Sequence, residues 1–316
     1  MQTISVGIDI AKEKFDVAFL GKDLSSDMRS FKNNKRGIGR FISVLDKQGT
    51  DESVPCVIES TGMYHLPVAL MVTNAGYRVN CINPIITKKY QQSSIRNAKT
   101  DEIDALRLAT IGVEQKNLSV FRADFKAIEA KKIVSYVGKL QKLKQQLKAS
   151  TRAMRDMKAI TGLDVDLEYI EDSIKLLQKQ VNLLTKEIIE RTPQSILKLG
   201  EMKGVSEETV SLLFALIGDK EFVSRDALVA FLGLDVMPRQ SGKWKGRGKL
   251  SKRGNGFGRK LLYQIAWGLK QHHPDYRKRF IELRLSGKPY RTSLIILARK
   301  FLRMLYGYHF RIDKSL

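Results

Sequence analysis

Two groups of residues in this chain have the types and spacing for phosphate chemistry. The first is acidic: Asp9 ends an alternating apolar run, Glu59 closes a second one, and Asp101 and Asp104 stand three apart at the start of a helical pattern. Four carboxylates brought together repel one another unless a cation neutralises them, and oxygen-only ligands suit Mg²⁺ or Mn²⁺. Such ions grip a scissile phosphate and stabilise the oxygens that enter and leave. The second group is basic. Residues 239–260, RQSGKWKGRGKLSKRGNGFGRK, hold nine Lys or Arg, six Gly, two Ser and no acid. Cations collapse onto a polyanion, and glycines let backbone N–H groups approach it closely. The candidate nucleic-acid contacts are Arg239, Lys243, Lys245, Arg247, Lys249, Lys252, Arg253, Arg259 and Lys260. Among them Ser241, followed by Gly242, is either one more hydrogen-bond donor or a nucleophile.

Each residue also has a plain structural reading. Asp9 reads equally as a solubilising strand charge, Glu59 as a helix-cap partner, and Asp101 and Asp104 as first-turn acids favoured by the helix dipole. The basic stretch reads as a flexible, solvated loop. It is the joint placement of the four acids that raises the catalytic reading.

The elements that must position them follow from periodicity. Over residues 3–10, Ile4, Val6, Ile8 and Ile10 alternate with Ser5, Gly7 and Asp9, a strand that projects Asp9 from the face opposite the isoleucines. Phe15, Val17 and Phe19 alternate again as an antiparallel partner, and a third strand is expected over residues 28–31. Asn33 and Asn34 offer a cap for a helix carrying Ile38, Phe41, Ile42 and Leu45. A buried strand over 54–58 ends in Glu59, a helix spans 63–74, Gly76 ends it, and 77–82 forms another strand before Asn83-Pro84. Three strands, helix, strand, helix, strand is the order of a ribonuclease H-like fold, assigned to residues 1–122. Thr100 caps a further helix on which Asp101 and Asp104 share a face with Leu108 and Ile111.

Residues 123–193 read as a helical coiled-coil hairpin. Tyr136, Leu140, Leu143 and Leu147 form one stripe, and after a break at Thr161-Gly162, Ile170, Ile174, Leu177, Val181, Leu184 and Ile188 form another. Two long, thin helices bury little by themselves, so a homo-oligomer, dimer or tetramer, is expected. Residues 194–316 form a mostly helical domain. It opens with a helix-hairpin-helix-like segment turning at Gly204-Val205 with Ser206 as cap, a type that often sets backbone N–H groups against DNA phosphates; it reads nearly as well as a structural helical corner with Leu212, Leu213 and Leu216 as core. A short helix over 227–234 leads into the basic loop, and a helix over 260–270 carries Tyr263 and Trp267, aromatics that read as core.

The totals bound the partners. The chain has 316 residues, 56 basic against 33 acidic, for a formal charge of +23, and residues 239–316 alone hold twenty-one basic and three acidic residues. That balance points to nucleic acid. No apolar run approaches a spanning helix and the start lacks the build of a signal peptide, so a cytoplasmic protein without a membrane partner is expected. Cys56 and Cys81 read as reduced thiols in apolar runs, and the histidines at 65, 272, 273 and 309 give no zinc spacing.

GIDIAKEKFD at 7–16, IESTG at 58–62 and KTDEIDA at 99–105 resemble the RuvC-like domain of the DEDD transposases of bacterial insertion sequences, relatives of the Piv and MooV DNA invertases. The resemblance continues through residues 233–267, GLDVMPRQSGKWKGRGKLSKRGNGFGRKLLYQIAW, similar to that family's second domain. It implies four catalytic, metal-binding acids at Asp9, Glu59, Asp101 and Asp104 and a catalytic serine at Ser241, with Ser251 in LSKRGN the second choice. It implies a recombinase whose serine attacks a DNA phosphate to form a phosphoserine link, later resolved by a 3′-hydroxyl of the partner strand. It further implies double-stranded donor and target DNA and a structured noncoding guide RNA as partners. Three rivals use the same residues: a hydrolytic nuclease or junction resolvase, an actin-like ATPase whose phosphate loop GIDIAKEKFD resembles, and a non-catalytic nucleic-acid-binding protein. No second glycine-rich phosphate loop supports the ATPase.

Overall fold

The computed structural model describes residues 2–60, 62–93, 101–115, 117–122, 124–162, 166–218, 220, 222–241 and 244–309, without the side chains of 92–93, 238–241 and 244–247. The chain divides into two compact units, Met1–Ala123 and Asp124–Leu316.

In the first unit, β1 (Thr3–Ile10), β2 (Lys14–Gly21), β3 (Ser26–Lys32), α1 (Lys35–Lys47), β4 (Cys56–Glu59), α2 (His65–Asn74), β5 (Val79–Ile82), α3 (Pro84–Ser93) and α4 (Asp101–Glu114) follow in order. The strands form one mixed sheet in the order β3-β2-β1-β4-β5. β1 to β3 pair antiparallel, whereas β1, β4 and β5 run parallel. Asn34 caps α1 as its side chain accepts the Gly37 N–H at 2.8 Å.

Strand alternation sends two residue sets to two faces. Val6, Ile8, Phe15, Val17 and Phe19 pack with Ile38, Phe41 and Leu45 of α1 and Val68 and Val72 of α2. On the other face α4 lays Ala105 and Ala109 against Ala18 and Leu20, and Leu108 and Ile111 against Val57 and Ile82. The α4 face of β1 carries only small side chains, Ser5 and Gly7, before it reaches Asp9. A Cβ at Gly7 would sit 1.9 Å from the Ala105 carbonyl oxygen and 2.3 Å from the Ala109 nitrogen, and one at Gly112 would meet the Ser5 hydroxyl at 2.3 Å. The α4 backbone therefore rests on the β1 backbone.

In the second unit, α5 (Phe125–Thr161) and α6 (Glu168–Glu190) are the two long helices. Asp124 caps α5, and Gly162, left-handed at φ 70°, ends it. Lys144 bonds Gln178, Arg155 pairs with Glu171, and Arg191 pairs with Glu129 at 2.7 Å, a descending-against-ascending sequence that makes the two helices antiparallel. The α6 positions 170, 174, 177, 181, 184 and 188 all lie on its covered side. On α5 the covered residues are Val134, Val137, Leu140 and Thr151, while Tyr136 and Leu143 face outward. The expected α5 stripe is shifted because α5 packs on α8 (Glu207–Ile217) as well as on α6, and two neighbours set its buried side.

The remainder is a short α7 (Gln194–Leu197) with a 3₁₀ turn over Lys198–Glu201, α8, α9 (Arg225–Phe231), β6 (Val236–Ser241), β7 (Trp244–Leu250), α10 (Gly256–His272), α11 (Pro274–Leu285) and α12 (Tyr290–His309). Val134, Val137, Leu140, Val181 and Ile188 of the long helices share one core with residues of α8, α10 and α12, among them Leu213, Leu262, Ile265 and Phe301. Much of the expected basic loop is instead an antiparallel hairpin of β6 and β7, registered from Val236↔Leu250 to Ser241↔Trp244. It lacks apolar alternation and so has no strand signature in the sequence; a Gly-Lys pair between the two runs is its one hairpin signal. Among the described residues no helix is long and apolar enough to cross a membrane.

If the backbone contact of α4 on β1 holds the first unit together, Gly7→Ala destabilises it by about 3 kcal/mol, the upper range for overpacking. Gly39→Ala, where a Cβ meets nothing within 4 Å, is neutral or mildly stabilising. Denaturant unfolding of both variants, followed in the full chain, checks the contrast.

Candidate active site

Asp9, Glu59, Asp101 and Asp104 belong to three elements that meet on the α4 face of the sheet. Ile8↔Ile58 is the last registered pair of the parallel strands β1 and β4, so Asp9 and Glu59 lie one step beyond it at adjacent strand ends. Val57 and Glu59 alternate onto the face that α4 covers, while Cys56 and Ile58 face α1 and α2. The Ser60 hydroxyl and N–H both donate to the Ile82 carbonyl at 2.9 Å, fixing the end of β4 against β5. Asp101 and Asp104 occupy the first turn of α4, one turn and one residue before Ala105, whose carbonyl meets Gly7. The expected cap Thr100 lies outside the described residues.

The electrostatics register this convergence on Asp9. Its carboxyl is raised from the ordinary 3.8 to about 6, first by burial and then by the charges of Asp104, Asp101, Glu59 and Asp16. A carboxylate in a half-buried position surrounded by four others resists ionisation for both reasons.

Protein groups offset the charge at its edges. Lys14 bridges Asp16 at 2.8 Å and Asp101 at 2.9 Å, and those bonds hold its ammonium above the usual lysine range. Arg107 pairs with Asp104 one turn along α4. Thr87 of α3 donates its hydroxyl to Glu59 and to the Pro84 carbonyl. Among the described residues no three His, Cys, Asp or Glu side chains close into a group that could hold a metal ion. The donor set itself is chemically suited to one, since carboxylate oxygens are the ligands of hard divalent cations.

Two members of this neighbourhood escaped the sequence reading, Asp16 and Lys14. Asp16 stands directly across from Asp9 in the β1–β2 ladder and is buried. Both residues lie within the GIDIAKEKFD stretch, and the missing signal was the hairpin register, which sets 9 opposite 16.

The serine and the basic residues belong to the second unit. Ser241 is the last residue of β6, paired with Trp244; Gly242 and Lys243 lie outside the described residues. Arg239, Lys245 and Arg247 are on the same hairpin. Lys249, Lys252 and Arg253 are exposed. Arg259 instead donates to the carbonyls of Gly254, at 2.6 Å, and Leu232, at 3.4 Å, and Lys260 reaches Gln141 at 3.4 Å. Both are tied into the helical core. Ser251 gives its hydroxyl to Asp235 and its N–H to the Asp235 carbonyl at 3.0 Å, which anchors the base of the hairpin.

Comparison with known proteins agrees across both units. Residues 6–165 match the model of the IS110-type DEDD transposases, described as a transposase, and residues 197–281 match a model described as the transposase IS116/IS110/IS902 family. A pilin gene-inverting protein of Moraxella lacunata is 26% identical over 320 residues, covering 97% of this chain and 96% of that one. One of Moraxella bovis is 26% identical over 317 residues with the same coverage.

The raised Asp9 carboxyl has a stability consequence with a definite sign. Its folded pKa of about 6 exceeds the ordinary 3.8, so its favourable contribution is complete below about pH 4 and is lost as pH rises through about 6. Asp9→Asn removes that loss. With chelator present, the variant should exceed the wild type near pH 7 by about 1–2 kcal/mol, discounted for partial exposure, and the gap should close near pH 4. Melting curves across that range check it.

Proposed function

The chain belongs to the IS110-type DEDD transposase family, and from that premise we propose that it recombines DNA by serine transesterification at a ribonuclease H-like acidic centre. The observation that supports this reading is the placement of Asp9 and Glu59 at adjacent strand ends, with Asp101 and Asp104 in the first turn of the helix that covers that face of the sheet. Asp9, Glu59, Asp101 and Asp104 would hold Mg²⁺ or Mn²⁺, with Asp101 and Asp104 exchanging Lys14 and Arg107 for the ions. When bound, such ions supply Lewis acidity to a phosphodiester and stabilise its oxygens.

The remaining steps belong to the chain's own groups. The Ser241 oxygen attacks a DNA phosphorus, a serine–phosphate bond forms as the bond to the 3′-oxygen breaks, and the hydroxyl proton ends on that oxygen. A 3′-hydroxyl of the partner strand then attacks the phosphoserine, and serine recovers its proton. One phosphodiester is exchanged for another, so no ATP is consumed. Arg239, Lys243, Lys245 and Arg247, flanking Ser241, hold the backbone and favour the serine alkoxide.

The partners in this reading are double-stranded DNA and a structured guide RNA whose base pairing selects the sites; the formal charge of +23 fits polyanion partners, whether one or two. Assembly as a dimer or tetramer is supported by α6, where Tyr169, Leu176 and Leu183 recur every seven residues and remain exposed. Because the acids and Ser241 belong to different compact units, we propose that one subunit's serine works with another's carboxylates.

Supplied with DNA carrying the element's ends, co-purifying RNA and Mg²⁺, the wild type should yield joined recombinant strands without ATP. Ser241→Ala should fall below about one-thousandth of that activity, as for loss of a nucleophile. Cut ends with no joined strands, equally abundant with Ser241→Ala, would mean hydrolysis instead. Mixed oligomers of Asp9→Asn and Ser241→Ala should regain strand exchange; confirmed mixed oligomers that stay inactive at every ratio would refute sharing between subunits.

A further inference from the structure

Helix α10 does not commit all its aromatics to the core. Leu262, Ile265, Ala266 and Leu269 are buried, yet Tyr263 and Trp267, one turn apart on the same side, are 42% and 47% exposed. The expectation that they are core residues does not hold. They stand beside the turn that precedes α8 because two glycines let backbones touch. A Cβ at Gly204, whose φ is +94°, would lie 2.2 Å from the Gly268 carbonyl oxygen, and one at Gly268 would lie 2.0 Å from that of Gly204. This contact forms the floor of a cavity of about 690 Å³ whose lining includes Ser206, Thr209, Tyr263, Gln264, Trp267 and His272. His272 also lines a second cavity, of about 430 Å³, with Arg277, Lys278, Ile281 and Glu282. Aromatic faces thus give way to cations along one surface of this unit.

The chemistry of that surface selects its ligand. A π face half open to water stacks any nucleobase, and such stacking next to a basic track is how single strands are held. Gln264 brings an amide for base edges, while the Ser206 and Thr209 hydroxyls bond each other at 2.7 Å at the start of α8. The Arg277 guanidinium is oriented by its bond to the Gln271 carbonyl, and Glu282 is paired with Arg279 at 2.9 Å, which mutes the one acid in the second cavity. The α8 N-terminus is the poorer phosphate site, because Glu207 and Glu208 put two negative charges in its first turn. Phosphate therefore belongs on the His272 side.

We propose that this cleft binds an unpaired nucleotide of a nucleic-acid strand, its base stacked on Trp267 and Tyr263 and its phosphates against His272, Arg277 and Lys278. The assignment rests on reading the chain as a nucleic-acid enzyme, but it concerns binding and not strand exchange.

The chain has two tryptophans, Trp244 and Trp267, so Trp244→Phe in the full-length protein leaves Trp267 as the sole indole. Single-stranded DNA, single-stranded RNA and an abasic strand of equal length and charge are titrated against its emission. Base-bearing strands should quench it and the abasic strand should not; the better of the DNA and RNA arms names the natural strand. Trp267→Ala should weaken single-strand binding about tenfold, with duplex binding and melting temperature kept and Trp267→Phe restoring most of the loss. Equal quenching by the abasic strand overturns the proposal. So does unchanged strand affinity in Trp267→Ala, and if that variant also dissociates the oligomer the cleft is a subunit contact. Because the readout is binding, a chain that joined no strands would still give one answer or the other, and the two readings fail separately.

Discussion

Mutual repulsion among carboxylates is the constraint on which the first unit depends. Burial first, and then the charges of Asp104, Asp101, Glu59 and Asp16, push the Asp9 carboxyl up to about 6. Nothing in that group favours its own assembly; the packing beneath it imposes it. The Gly7–Ala105 and Ser5–Gly112 contacts bring α4 down to the β1 backbone, and apolar burial of Leu108 and Ile111 against Val57 and Ile82 holds it there. Each such side chain contributes roughly 1.5–3 kcal/mol when fully buried, enough in sum to outweigh the repulsion of a partly solvated acid cluster. Lys14, Arg107 and Thr87 then offset charge at its edges.

The second unit is built on a helical core, and the hairpin is fixed to it at its base. The base of the β6–β7 hairpin is fixed by Ser251 and Asp235, and Arg259 ties the start of α10 to the Leu232 and Gly254 carbonyls. Glycines here serve close approach as much as turning: Gly233 and Gly254 let the segments after α9 and before α10 touch, just as Gly204 and Gly268 do further along. Basic residues in such a stretch therefore divide into those that hold the fold and those left to meet a polyanion.

Much of the first unit was legible because its signals are local. Alternation in 3–10 gave β1 and the face of Asp9, Asn34 gave the start of α1, and the three-residue spacing of Asp101 and Asp104 put both on one side of α4. What was not legible depends on pairing. The Asp9↔Asp16 register and the Lys14 bridge need the hairpin to exist before they mean anything. Of the expected stripe Tyr136, Leu140, Leu143 and Leu147, Leu140 is buried while Tyr136 and Leu143 are exposed, because α8 packs on α5 as well as α6 does. The β6–β7 strands, rich in Lys, Arg and Gly, carry no period-two apolar pattern that would mark them as strands. Trp267 and Tyr263 looked like core because aromatics at helical spacing usually are; the Gly204–Gly268 contact, invisible in sequence, leaves them at a cleft.

The proposed reaction turns on one step, the covalent joining of Ser241 to DNA under the control of the acidic cluster. The most direct measurement is denaturing electrophoresis of the protein with end-labelled element DNA, Mg²⁺ and co-purifying RNA, followed by peptide mapping of any labelled band. The expected result is a protein–DNA adduct that maps to Ser241 and disappears in both Ser241→Ala and Asp9→Asn. Cleaved DNA with no adduct, formed equally well by Ser241→Ala, would contradict it.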